Sequence, residues 1–178
     1  MNRLVIILCL AAVVVGSVAL GGVVHAEDQA PMTEAHIARI RANCIDTKTT
    51  LQQLHANDAG LRVNRGQIYE SIATKLMAPL NSRMVLSRID SETFLNIADE
   101  YDQQLQAFRL QYQQYDEAMS ATLRINCVNQ PVAFYDSVVD TRTKRQQTHD
   151  ATVQLHKTIE KYGIEVDNFA KKFEVKKS

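Results

Sequence analysis

Core-type residues that recur by alternating fours and threes constrain this chain more than any other feature. From Phe94 the series runs through Ala98, Tyr101, Leu105, Phe108, Tyr112, Tyr115 and Met119, with Gln, Asp, Arg and Glu between. A seven-residue repeat lays one apolar stripe along a helix, and it cannot occupy one face of a strand, where the period is two. Asp90 or Ser91 supplies a start signal, so a helix is predicted over 92–128. A second series follows Asn129-Gln130-Pro131, a stop and then a start, with proline tolerated in the first turn. It comprises Phe134, Val138, Thr141, Arg145, Thr148, Thr152, Leu155, Ile159, Tyr162, Val166, Phe169 and Phe173. A helix over 131–173 is predicted.

The third series lies nearer the N-terminus. Ile37, Cys44, Leu51, Asp58, Arg65 and Ile72 are spaced by sevens, with Ile40, Leu54, Leu61, Ile68 and Leu76 between them. Asn57–Gly60 has the composition of a loop. The heptad phase nevertheless crosses it without a slip, which predicts one helix over 33–78; a break at Asn57–Gly60 is the alternative. Pro79 is expected to end this helix, because the residue before a proline avoids the helical region. That leaves a connector over 79–91, with a short helical turn within Ser82–Ile89. With only 6 Gly and 3 Pro, turn-rich β architectures are disfavoured. The expected fold is all-α: an elongated, antiparallel bundle of three long helices, coiled-coil-like, behind an N-terminal signal or anchor helix.

Met1-Asn2-Arg3 precedes an uncharged apolar run over Leu4–Val24, and Val24-His25-Ala26 forms a cleavage-site pattern. Residues 1–26 are expected to be a signal peptide or an uncleaved anchor that spans the membrane through residues 4–24. A spacer at 27–32 and a basic tail at 174–178 flank the bundle. Either outcome places the bundle outside the cytoplasm, secreted or anchored to the cell membrane. The balance of 20 Lys+Arg against 20 Asp+Glu offers no general field for nucleic acid.

"RANCID" (Arg41–Asp46) and "RINCVN" (Arg124–Asn129) hold both cysteines that lie outside the leader. In an extracytoplasmic chain they are expected to form a disulfide, Cys44–Cys127. If the first helix stops before Pro79, antiparallel residues at equal height have numbers summing to about 170, and the cysteines meet. Were it to run to Arg88, they would miss by about a dozen ångströms. With both cysteines on helices, the repeated sequence would make a local two-fold arrangement, with Arg41 and Arg124 on adjoining turns. No Cys-x-x-Cys occurs, so thioredoxin-type redox chemistry and haem attachment are not indicated.

The same level arithmetic brings Asp58, Arg65, Tyr112, Tyr115, Arg145, Thr148 and Thr152 to the middle of the bundle. They are expected to form a polar core layer, or a site for a small anion or amphiphile between helices. Asp58 and Arg145 are expected to pair, buried, so that Asp58→Ala costs more than replacing both residues with Leu. His149 and His156 read as surface residues, and Asp99, Glu100 and Asp102 as a solvated face. No catalytic group, metal set or cofactor motif stands out. The expected function is a non-enzymatic envelope interaction or spacer module, with an unidentified protein partner and self-association as further expectations. The alternative is an extracytoplasmic ligand-binding or chaperone-like bundle.

Overall fold

The computed structural model describes residues 32–175. The leader, nearly all of the spacer, the tail from 176 and the side chains from Phe173 onward lie outside the described residues. Within them the chain is all-helical, without strands. The order is α1 (Glu34–Ala42), α2 (Cys44–Ser71), a π-helical segment (Ile72–Met77), α3 (Ala78–Leu86), α4 (Glu92–Arg124) and α5 (Pro131–Val175). No described helix is long and apolar enough to cross a membrane.

Thr33 caps α1, its Oγ1 accepting from the His36 amide at 3.3 Å. Asn57–Gly60 is helical, as the unbroken heptad phase predicts. The helix does not stop at Pro79, however. The π segment precedes it, and at Ala78 the backbone amide reaches back five residues to the Ala73 carbonyl. This shifted ladder spares Pro79 the donor it lacks and opens room for its ring, so the helical path continues to Leu86. It ends where Ile89 N–H bonds to the Met84 carbonyl (2.9 Å) across Arg88, which takes the left-handed conformation at φ 54°. This six-to-one closure satisfies an end carbonyl and turns Ile89 back onto the core. The connector is therefore 87–91 and not 79–91.

The cysteines still meet, with Cα atoms 5.6 Å apart in a disulfide. Two features absorb the extra helical length. The π segment seats an additional residue in its wide turn. At the other end α4 finishes at Arg124 rather than 128, and Ile125 is extended (ψ 134°), which carries Cys127 past the helix end at roughly twice the helical rise per residue. Cys127 thus sits in a turn, and the anticipated two-fold helix pair around the sulfurs does not form. Each Asn-Cys marks a break instead. Asn43 interrupts the helix between α1 and α2. Asn126 Oδ1 accepts from the amides of Val128 and Asn129, both at 3.1 Å, and so folds the α4–α5 turn. Arg41 Nε donates to the Val128 carbonyl at 3.1 Å, tying the break to the turn.

Helix α4 packs against both α5 and the first arm, made of α1, α2, the π segment and α3, and its heptad series is buried from Phe94 to Met119, with Ala98 half-buried. It runs antiparallel to α5: Phe94 meets Tyr162, Gln104 meets Thr158, and Thr122 meets Thr141. The first arm departs from its series. Leu61, Ile68 and Leu76 are 52%, 56% and 62% exposed, while Tyr69 and Met77 are buried. A straight α-helix drifts about 20° per heptad, so four heptads beyond Cys44 the sevens have rotated by about 80°. The face aligned with Cys44 then passes between Tyr69 and Ala73, and these are the residues that pack inward. Two tyrosines serve the carbonyls beside the π segment: Tyr101 donates to Tyr69 O at 3.0 Å, and Tyr162 to Met77 O at 3.5 Å.

Candidate functional site

Between α2 and α5, over a floor supplied by α4, lies a cavity of about 440 Å³. That volume falls within the ~300–1,000 Å³ usual for small-ligand sites. Asp58, Arg65, Tyr112, Tyr115, Arg145, Thr148 and Thr152 all line it. Leu61, Arg62, Phe108, Arg142, Gln146 and His149 complete the lining.

Among the described residues Asp58 is the only carboxylate in the lining, and it is fully engaged. Arg145 grips it through Nε at 2.7 Å and a second guanidinium nitrogen at 3.1 Å, and the Tyr115 hydroxyl donates to it at 2.7 Å. Burial alone would raise the Asp58 carboxyl. The bonds from Arg145 and Tyr115, with the positive charge of Arg145 and His55, outweigh it and hold the group below its ordinary 3.8. Burial, followed by the neighbouring Asp58, pushes the Tyr115 hydroxyl up, so Tyr115 stays a donor. The pair is one-sided. The Asp58 side chain is 12% exposed but that of Arg145 is 50%, so the fully buried pair expected from sequence does not occur. Arg65, turned outward by the heptad drift, and Arg145, whose long side chain reaches out from a seam that stays buried at Thr141 and Thr152, both sit at the cavity rim rather than in a core layer.

That asymmetry relocates the cost of removing the carboxylate. Freed Arg145 can rehydrate, whereas the Tyr115 hydroxyl, on a residue 1% exposed, loses its acceptor. Asp58→Ala is expected to cost about 1–3 kcal/mol by denaturant melting, and about 1 kcal/mol less in a Tyr115→Phe background. Equal costs in both backgrounds would contradict the assignment. The depressed carboxyl supplies stability that is complete above about pH 4 and disappears as pH falls through the folded value. The stability gap between wild type and Asp58→Asn should close accordingly on acidification.

The other charged groups of the lining are the arginines Arg62, Arg65 and Arg142. The Arg62 guanidinium lies 5.1 Å from the Tyr112 ring centroid, stacked on the floor. Sequence reasoning passed over Arg62, although it stands 18 residues from Cys44, five whole turns at 3.6 per turn and hence on the same face. Arg65 and Arg142 have no ion-pair or hydrogen-bond partner among the described residues. Thr148 and Thr152 donate to the carbonyls of Lys144 and Thr148 one turn back, which leaves their oxygens as acceptors. His156, read as a surface residue, hydrogen-bonds Tyr69 at 2.9 Å outside the cavity. Glu100 is held by Lys161 at 2.7 Å, an α4–α5 contact and not a free carboxylate.

A larger hollow, about 780 Å³, opens between the first arm and α4. Ala73, Met77, Val85, Leu95 and Leu105 line it, and its charged groups include the Arg109–Glu70 ion pair. Among the described residues no group of three or more His, Cys, Asp and Glu is gathered to hold a metal ion. No family model matches this chain, and neither a curated protein nor a solved structure does.

Proposed function

We propose that the chain is a non-enzymatic, extracytoplasmic module, secreted or held at the membrane by its leader, that works by binding. Its helices form a three-armed, coiled-coil-like bundle stapled by the disulfide. Of the two forms such a module can take, the ligand-binding bundle is better supported than the spacer. The carrying observation is a cavity lined by residues of α2, α4 and α5, where a spacer would gain stability from continuous packing. The disulfide supports an oxidising compartment, as does the apolar run before Glu27.

Thermal melting of the oxidised chain from Glu27 onward, against a panel of anionic and neutral amphiphiles below their micelle concentrations, tests this. A binder at a hundredfold excess over its Kd should raise Tm by about 5–10 °C. No shift from any compound, together with a defined oligomer by light scattering, would favour the spacer.

A further inference from the structure

We propose that the cavity between α2 and α5 takes an anion with an apolar or aromatic body, the anionic end held by Arg62, Arg65 and Arg142 and the body lying on Phe108 and Tyr112. The proposal rests on the cavity being a binding site and adds the ligand's chemistry. Four arginines line the cavity against one carboxylate. Asp58 cancels only Arg145, and its oxygens are occupied by three hydrogen bonds. A cationic ligand would find no free carboxylate and three like charges. An anion would find guanidinium groups that bind carboxylate, phosphate or sulfonate in two-point fashion. The concave, partly apolar wall focuses their field.

The floor decides the rest of the ligand. Phe108 and Tyr112 are buried, yet both border the cavity, and Leu61 exposes half its surface at the wall. A bare inorganic anion would leave that surface wet, whereas an apolar body covers it at about 25 cal/mol per Å². Arg62 joins the two halves, since its guanidinium lies over the Tyr112 ring and keeps its N–H donors in the cavity lining. The Tyr112 hydroxyl, which has no hydrogen-bond partner among the described residues, adds a neutral donor.

The probes are 8-anilinonaphthalene-1-sulfonate and N-phenyl-1-naphthylamine, which share one body and differ by the sulfonate, with inorganic phosphate as the third arm. Fluorescence titration of the oxidised chain from Glu27 is expected to show the sulfonate binding about tenfold or more tighter than the neutral compound. Phosphate should displace it weakly. Arg65→Gln with Arg142→Gln should weaken the sulfonate about tenfold and leave the neutral probe unchanged, while Lys157→Gln, on α5 outside the cavity, changes neither. Arg65 and Arg142 hold nothing else in place, so the double variant should keep the parental melting temperature. Equal binding of both probes would overturn the anion assignment and leave the binding module standing. Phosphate displacing as strongly as a second aromatic sulfonate would overturn the apolar body. Binding of neither probe would remove both the ligand class and the cavity as a site.

Discussion

With Cys44 and Cys127 both replaced by serine, the unfolding free energy is expected to fall by about 4–5 kcal/mol. The bridge closes a loop of 83 residues, and long loops lose most conformational freedom in the unfolded chain when cross-linked. The local packing it guards is small: Ile40, Leu51, Ile125, Phe134 and Val138 surround the sulfurs. Without the bond, α1 would be held by few apolar contacts and by Arg41 on the Val128 carbonyl. Denaturant unfolding with and without reductant measures the effect. A loss below about 1 kcal/mol would mean that the unfolded chain is already compact around these residues. Chain produced and kept under reducing conditions should carry free thiols and show the same deficit.

Phe94→Ala should cost about 3–5 kcal/mol. Phe94 is 2% exposed, with its ring edge-to-face against Tyr162 at 5.4 Å and Phe169 at 5.8 Å. Truncation removes both contacts and opens a hollow that rigid neighbours cannot fill, because Tyr162 is fixed by its 2.7 Å bond to Asn81. Leu110→Ala, on the exposed side of the same helix, should stay within about 0.5 kcal/mol. Phe94 lies in the first turn of α4 and Cys127 past its far end, about 45 Å of helix away, so the two losses should add. A coupling above about 0.5 kcal/mol would show that the ends communicate.

The seam of α4 was legible because this helix is covered on two sides, and a wide buried face tolerates the drift of sevens against 3.6 residues per turn. The same arithmetic failed for the first arm, which buries only a narrow face, and Leu61, Ile68 and Leu76 turned outward. Pro79 misled because a local rule forbids the regular ladder there, while the ladder had already shifted at Ile72–Met77. Nothing in Ile-Ala-Thr-Lys-Leu-Met announces that shift. The seven cavity residues were found together because polar groups interrupting an apolar seam share a height. Arg62, Arg142 and His149 were missed because they lie off the heptad positions. The two Asn-Cys breaks could have been read from asparagine, which bonds its own backbone and competes with helix.

The first arm is fastened at two separate places. Below, a covalent bond pins the arm to the α4–α5 turn; above, Met77 and Met84 clamp it into the core. Leu61, Arg62 and Arg65, cavity residues between these two fastenings, take part in neither, so the binding wall can be altered while the arm stays anchored.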